Sequence, residues 1–343
     1  MGLQHPEEYS LYARYEKGKR NLISDVAGVT VGHKTLRSED GKINTGVSVL
    51  LPHPGNIFKE KLFAAASVIN GFGKSVGLVQ MAELGTLESP IFLTNTLSVG
   101  TVLTAGVKYS LRENPEIGLS TGTVNVLVTE CNDAKLNDIR GLHVTEEDAF
   151  EAIASASADF EEGPVGAGTG MKMMGLKGGI GSASRLVPIG DQHYTVGTLV
   201  MTNYGPKQCL NIGGDRVGLR VEAAEQWEKD MGSCILLIAT DAPLLDRQLK
   251  RVANRAAHAM ARTGTFSANG SGDIAIAFST ANKIEHFAPA KTKQITMLYD
   301  DDLDPIFEAS VEALEEALIS SLDHGKSVEG FQGKIYSLKD YPF

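Results

Sequence analysis

The chain has 343 residues, of which 42% are hydrophobic and 22% charged, so it can bury a substantial core as globular proteins do. Its formal net charge of −10 argues against nucleic acid as a partner, since phosphate contacts need clustered Lys and Arg, and also against an anionic membrane surface. We expect a cytoplasmic protein, because the sequence has no apolar run of roughly 20 residues, no signal-peptide pattern, and no metal-ligand or disulfide spacing among its three cysteines.

Strand-like and helical segments alternate along the first two thirds of the chain. The first 20 residues are polar and predict an arm. Apolar runs predict strands at residues 29–31, 45–51, 89–94, 124–129 and 194–201. Residues 99–109 predict a helix, and Thr145 predicts the N-cap of another, since three acidic residues follow it. Residues 163–185 are glycine-rich, and the polar residues 216–230 predict a helix or a loose connection.

The last third begins with an apolar strand at residues 235–239, which is entered directly from Gly232-Ser233-Cys234. A helix, an alternating strand and an amphipathic helix are predicted after it, at residues 243–260, 273–279 and 304–322. Strands and helices are interleaved without a linker or an internal repeat. This order predicts one compact α/β domain over residues 1–343, with sheets and helices in layers.

The most conspicuous motif is the glycine-rich run from Gly166 to Gly181. A dinucleotide-binding loop needs GxGxxG directly after a strand, and no apolar strand precedes this run. A P-loop needs Lys after its second glycine, and Leu176 follows Gly175 here. Two interpretations stay open: a loop whose backbone packs tightly, or a loop whose N–H groups line a pocket. The eight histidines lack paired spacing, so we expect no metal site.

The residues Gly232-Ser233-Cys234, which precede the apolar strand at residues 235–239, allow two interpretations. Gly232 and Ser233 read most simply as a turn. Alternatively, the peptide bond between them is cut. The freed α-amine of Ser233, with a pKa of about 7.7–8.0, would then act as the base for its own hydroxyl. Gly232 suits such a cut, because glycine tolerates strained dihedral angles.

A second small polar cluster, Asn269-Gly-Ser-Gly-Asp, precedes the strand predicted at residues 273–279. This cluster is either a hairpin turn or a rim that presents the hydroxyl of Ser271 and the carboxylate of Asp273. A carboxylate beside an N-terminal ammonium would hold that ammonium and tune its pKa. The two clusters together therefore make an N-terminal serine nucleophile a chemical possibility.

Both clusters resemble the DmpA-type aminopeptidases, a family that includes the L-aminopeptidase/D-amidase/esterase and the β-peptidyl aminopeptidases. The resemblance extends through most of the chain. It rests on matching stretches at residues 23–33, 87–91, 94–100, 136–144, 166–170, 177–182, 232–245, 248–251, 261–264 and 269–282. So many separated matches are more specific than any single motif.

The resemblance implies a four-layer αββα sandwich of the DmpA/ornithine-acetyltransferase type. It also implies a precursor that cuts itself between Gly232 and Ser233, giving pieces 1–232 and 233–343 that stay together. The implied substrate is a small peptide or an amino-acid amide, and no metal or organic cofactor is implied. The family further suggests a homo-oligomer, namely a tetramer.

Site residues are implied by the same resemblance. Ser233 corresponds to the nucleophile, and Ser271 and Asp273 correspond to the groups that support it and its amine. Ser271 follows Ser233 by 38 residues (271 − 233), a spacing that suits Ser233 better than the neighbouring cysteine. Asn203 matches an asparagine of the oxyanion hole, and Glu130 matches an acidic residue near the substrate amine.

Two departures from the family pattern affect the expected substrate range. Asn132 stands where the family often has a tyrosine whose hydroxyl lies in the active site, so we place Asn132 among the substrate-binding residues. Lys74, after Phe72, stands where the family often has Glu. Two alternatives to the aminopeptidase reading stay open: an acyltransferase or amide-oligomer hydrolase on the same fold, and an uncut, non-catalytic binding homologue.

Overall fold

The computed structural model describes residues 11–221 and 232–341. The strands are β1 (Thr30–Arg37), β2 (Asn44–Leu51), β3 (Glu60–Gly71), β4 (Thr86–Leu87), β5 (Ile91–Asn95), β6 (Leu127–Cys131), β7 (Lys172–Met173), β8 (Leu176–Lys177), β9 (Ile180–Ile189), β10 (Gln192–Asn203), β11 (Ser233–Thr240), β12 (Gly272–Glu285), β13 (Val328–Gly330) and β14 (Gly333–Ile335). The helices are α1 (Leu78–Leu84), α2 (Val99–Glu113), α3 (Glu146–Ala154), α4 (Gly218–Val221), α5 (Asp246–Ala253), α6 (Ala256–Arg262) and α7 (Asp304–Asp323).

Two large sheets form the centre of the protein. One has the strand order β1-β2-β5-β6, and the other has the order β4-β3-β12-β11-β10-β9. Helices α2 and α3 cover the outer face of the first sheet, and α5, α6 and α7 cover the outer face of the second. An apolar layer with side chains from both sheets fills the space between them. The result is a four-layer αββα sandwich, which confirms the fold class expected from the resemblance.

Strand β11 lies near the middle of the six-stranded sheet, parallel to β12 and antiparallel to β10. Ile235 and Leu237 pack into the layer between the sheets, whereas Cys234, Leu236 and Ile238 pack under the outer helices. A strand that is buried on both faces needs apolar side chains on both, which explains the continuous apolar run. The serine that opens this strand is therefore held by a rigid central element.

Most segments predicted from the sequence fall on observed elements, and Thr145 is confirmed as the N-cap of α3 because its hydroxyl accepts the N–H of Asp148. The helix predicted at residues 243–260 is divided at Asn254 and Arg255 into α5 and α6. The glycine-rich run is not all loop, since it contains β7, β8 and the start of β9. Of the polar residues 216–230, the part beyond residue 221 lies outside the described residues.

The helix predicted at residues 304–322 is confirmed as α7, but its polar side is not exposed as an amphipathic surface helix would have it. Helix α7 has buried residues on every face, including Glu312 and Glu315. One face packs on β9 and β10. Another is covered by the described part of the predicted N-terminal arm, where Lys17 Nζ donates to Glu316 Oε1 at 2.7 Å and the backbone N–H of Arg14 donates to Glu312 Oε1 at 2.9 Å. The described part of the arm is thus docked on α7 and covers part of its polar side.

A buried ion pair joins the sheet to this helix. The Arg185 side chain, on β9, is 1% exposed, and its Nε lies 3.2 Å from Oε2 of Glu312, which is 0% exposed. Its second guanidinium nitrogen donates to Glu316 Oε2 at 2.6 Å.

None of the helices within the described ranges has the length and apolar composition needed to cross a bilayer.

Replacing Arg185 with Met should lower the free energy of unfolding by about 3–5 kcal/mol, because the carboxylate of Glu312 would stay buried without its cation. The matched control is Arg14→Met, which removes a 64% exposed side chain paired with Glu308 on the same helix. That change should cost about 1 kcal/mol or less. Chemical denaturation of both variants measures the difference. Equal, small losses would contradict a structural role for the buried pair.

Candidate active site

The junction of Gly232 and Ser233 lies between two neighbouring strands. In the sheet register Ser233 is opposite Asn203 of β10 on one side and Gly272 of β12 on the other. Ser233 is 4% exposed. The N–H of Gly272 donates to the carbonyl oxygen of Gly232 at 3.1 Å. The carbonyl group of the peptide bond that is predicted to be cut therefore already accepts a hydrogen bond from the backbone.

Close packing explains why residue 232 is glycine. A Cβ at Gly232 would overlap the carbonyl oxygen of Asn203 and lie 2.5 Å from Cα of Tyr204. Both neighbours are backbone atoms of β10 and the residue after it, so they cannot move aside as a flexible side chain would. Only a residue without a side chain fits here, and this presses the Gly232-Ser233 peptide against the end of β10.

Ser271 and Asp273 form a buried pair at the start of β12. Both residues are 0% exposed, and the Ser271 hydroxyl donates to Asp273 Oδ1 at 2.7 Å. Asp273 is opposite Cys234 in the register, one residue after Ser233. The cluster is not a hairpin turn, because β12 runs parallel to β11. The pair therefore lies beside the end of β11 that carries the candidate nucleophile.

Asn70, which sequence reasoning missed, holds the turn that carries Ser271. Its Nδ2 donates to the carbonyl of Ala268 at 3.0 Å and also to the carbonyl of Ser271. These partners are about 200 residues away in the chain. The only sequence signal was that Asn70 and Gly71 directly precede Phe72 and Lys74, where the chain departs from the family pattern.

The carboxamide of Asn203 is fixed at both ends. Its Oδ1 accepts the N–H of Lys172 at 3.4 Å, and its Nδ2 donates to the carbonyl of Asn132 at 2.8 Å. Asn132 thus contributes its backbone to the site. Its own side chain is exposed and accepts the N–H of Ala134. An Nδ2 group has two N–H donors, so one remains for a further acceptor.

Glu130 reaches the same region from the other sheet. It lies in β6, one residue beyond the end of the predicted strand, and is 2% exposed. Its carboxylate accepts the N–H of Lys74 at 2.8 Å and the hydroxyl of Thr96. A Cβ on Gly73 would lie 3.6 Å from Glu130 Oε1 and 3.8 Å from Cα of Gly272. The segment around Gly73 therefore bridges Glu130 and the strand next to Ser233.

The unusual Phe72-Gly-Lys74 sequence lies on this bridging segment. The N–H of Phe72 donates to the carbonyl of Ser271 at 3.2 Å. The Phe72 side chain is 58% exposed, and the Lys74 ammonium lies 4.3 Å from the centre of its ring. The basic group that replaces the family's acid is thus held over an aromatic ring at the rim of the site.

Ser233 and Cys234 are the two candidate nucleophiles at this junction, and the surroundings of the Cys234 thiol make it the less reactive one. Burial and the neighbouring Asp273 raise the pKa of the Cys234 thiol well above its usual value. The thiolate, not the thiol, is the reactive form of cysteine. Because Cys234 also packs under the outer helices, it is a core residue, and Ser233 is the better candidate nucleophile.

A second buried ionisable group lies beside Asn132 in the chain. Burial raises the pKa of the Asp133 carboxyl to about 7.

Comparisons with known proteins identify the family of the chain. Residues 21–336 match the model of Peptidase family S58. The beta-peptidyl aminopeptidase BapA of Sphingosinicella microcystinivorans is 37% identical over 348 residues, which cover 95% of this chain and 86% of that protein. The crystal structure of the PH0078 protein from Pyrococcus horikoshii OT3 matches with a TM-score of 0.93 and 50% identity, over 98% of this chain and 96% of that one.

A third match is the L-aminopeptidase D-Ala-esterase/amidase from Ochrobactrum anthropi, with a TM-score of 0.89 and 32% identity over 97% of this chain and 95% of that one. The protein is therefore an aminopeptidase with the four-layer fold of the N-terminal-nucleophile hydrolases. The chain belongs to Peptidase family S58. The family resemblance is confirmed, and the non-catalytic alternative loses its basis.

Replacing Asn70 with Ala should lower kcat/KM by about 10²-fold, because the turn that carries Ser271 would lose its clamp and small misplacements are costly in an active site. Asn56→Ala is the matched control, since Asn56 is likewise held by several side-chain hydrogen bonds, but to Phe58, Lys59 and Asn114. Steady-state assays with thermal unfolding test both variants. Equal activities would show that the clamp does not serve the site.

Proposed function

We propose that this aminopeptidase is self-processing and uses Ser233 as an N-terminal nucleophile. It would cut itself between Gly232 and Ser233 and then hydrolyse N-terminal residues from peptides, amino-acid amides or esters. One observation carries the proposal. The carbonyl of Gly232 accepts the N–H of Gly272 while its Cα is pressed on the backbone of Asn203, so the bond to be cut is fixed between two strands.

In the self-cleavage step, the hydroxyl oxygen of Ser233 attacks the carbonyl carbon of Gly232. The N–H of Gly272 is placed to stabilise the oxyanion that forms on the Gly232 oxygen. The C–N bond then breaks, the nitrogen gains the hydroxyl proton, and an ester links the two pieces. Water hydrolyses that ester and leaves a carboxylate on Gly232 and a free α-amine on Ser233.

In the catalytic cycle, the new amine takes the proton of the Ser233 hydroxyl, and the hydroxyl oxygen attacks the substrate carbonyl. The second N–H of Asn203 Nδ2 donates to the oxyanion. The leaving amine receives the proton, and an acyl-enzyme remains on Ser233. Water then releases the N-terminal residue. In this scheme the buried pair of Ser271 and Asp273 holds the amine.

Glu130 is the proposed partner of the substrate's ammonium group. A carboxylate offers about four acceptor sites, and the protein occupies two of them through Lys74 and Thr96. A buried carboxylate gains most from a cationic partner, since the local dielectric constant is low. This contact would restrict substrates to those with a free amine close to the scissile carbonyl.

The names of two relatives suggest which substrates this protein hydrolyses. One is described as a beta-peptidyl aminopeptidase and another as an L-aminopeptidase and D-Ala-esterase/amidase. We propose the same range of amine-bearing peptides, amides and esters for this protein, in a homo-oligomeric, cytoplasmic enzyme without a cofactor. Acyl transfer to an added amine is the competing outcome of the same acyl-enzyme. Measuring free amino acid against transfer product separates the two.

Ser233→Ala should leave one chain of 36.6 kDa without peptidase activity, whereas the native protein should give bands of roughly 24 and 12 kDa on a denaturing gel. Cys234→Ala is the adjacent control, and it should be cut and active because the thiol lies in the core. A Ser233→Ala protein that still cuts itself and hydrolyses substrate would disprove the mechanism.

Lys74→Glu should lower kcat/KM about three- to tenfold for dipeptides with a free C-terminal carboxylate, and much less for the matching dipeptide amides, because a rim ammonium attracts a carboxylate. Lys291→Glu is the control for net charge, since Lys291 is exposed and follows the far end of β12. An equal loss for both substrates would mean that Lys74 does not sense the carboxylate.

A further inference from the structure

Lys177 is a buried lysine that the mechanism above does not use. Its side chain is 0% exposed, and its Nζ donates to the carbonyls of Met171 and Gly178, each at 2.6 Å, and to that of Gly168 at 3.3 Å. Burial, with a smaller effect from Arg37, lowers the pKa of Lys177 to about 7. Even a neutral amine has two N–H donors, so the two short bonds do not depend on the third proton.

The bond to Met171 acts on the orientation of Asn203. The carbonyl of Met171 and the N–H of Lys172 belong to one planar peptide group, so holding one fixes the direction of the other. That N–H donates to Oδ1 of Asn203 at 3.4 Å. Only the oxygen of a carboxamide can accept an N–H, so Nδ2 must point the other way. It does so, towards the carbonyl of Asn132.

Backbone bonds hold the residues on either side of Asn203 to the same loop. The N–H of Met174 donates to the carbonyl of Tyr204 at 2.6 Å, and the N–H of Thr202 donates to the carbonyl of Gly179 at 3.0 Å. These bonds do not involve the Lys177 side chain. They should keep the end of β10 in place when that side chain is removed, which leaves the carboxamide of Asn203 as the group most affected.

We propose that Lys177 is a positioning residue that acts through the Met171–Lys172 peptide to turn the Nδ2 of Asn203, rather than its oxygen, towards the substrate carbonyl. The ammonium also polarises this peptide group and makes its N–H a stronger donor. The inference rests on the proposed role of Asn203 in the oxyanion hole. It does not extend to self-cleavage, where the Gly232 oxygen is held by Gly272.

The test is a double-mutant cycle of Lys177→Met and Asn203→Ala, with kcat expressed per cleaved chain. Asn203→Ala should lower kcat about 10²–10³-fold, as loss of one oxyanion donor does. Lys177→Met should lower kcat about 10-fold or more with KM within about twofold, and should add less than about threefold once Asn203 is absent. Self-cleavage should proceed at the native rate in Lys177→Met.

Lys108→Met on α2 is the control, and it should change none of these rates. Should Lys177→Met not fold, Lys177→Leu, which also lacks a side-chain N–H donor, takes its place in the same cycle. Lys177→Gln, which keeps two N–H donors without charge, should restore part of the lost kcat. Multiplicative losses of kcat, or an equal slowing of self-cleavage and turnover, would overturn the inference and indicate a purely structural lysine. An Asn203→Ala enzyme with native kcat would instead overturn the assignment of Asn203 in the proposed function.

Discussion

The contact between the Gly232 backbone and the carbonyl of Asn203 is the constraint on which the site depends. It leaves no space for a side chain at residue 232 and brings the ends of β10 and β11 into van der Waals contact. On the other side, Gly272 holds the Gly232 carbonyl. A peptide bond that is fixed from both sides does not behave as part of a flexible turn, which was the simpler interpretation of Gly232 and Ser233. It is a suitable substrate for an adjacent hydroxyl, since reactive geometry is then fixed in advance.

Strand directions explain how distant residues meet at this point. Because β10 and β3 run antiparallel to their neighbours, while β11 and β12 are parallel, the ends of β10 and β3 lie beside the beginnings of β11 and β12. Asn203, Asn70 and Ser233 therefore come from three strands, Ser271 directly precedes a fourth, and all of them lie at one end of the sheet. Glu130 reaches this end from the second sheet through the segment around Gly73. The face-to-face packing of the sheets thus brings Glu130 to the proposed site.

The sequence predicted those features whose cause lies in a few consecutive residues. Thr145 was identifiable as an N-cap from the three residues after it, and β11 from its continuous apolar run. The burial of Glu312 was not, because its cation, Arg185, comes from a strand 127 residues away. Asn70 was missed for the same reason, since its partners lie about 200 residues away, whereas the partners of Lys177 lie only one to nine residues from it in the chain. The roles of Asn70 and Lys177 consist of hydrogen bonds to backbone carbonyls, which leave no mark in residue type or spacing.

The central claim is that one residue, Ser233, is both the product of self-cleavage and the carrier of the acyl group. The most direct test is intact-mass spectrometry of the native protein, quenched during turnover of a slow amino-acid ester. We expect a free fragment of residues 1–232 and a fragment of residues 233–343 that gains the mass of one acyl group, with the acyl group on its first residue. An active protein that is one uncut chain, or that carries the acyl group at another residue, would contradict the account.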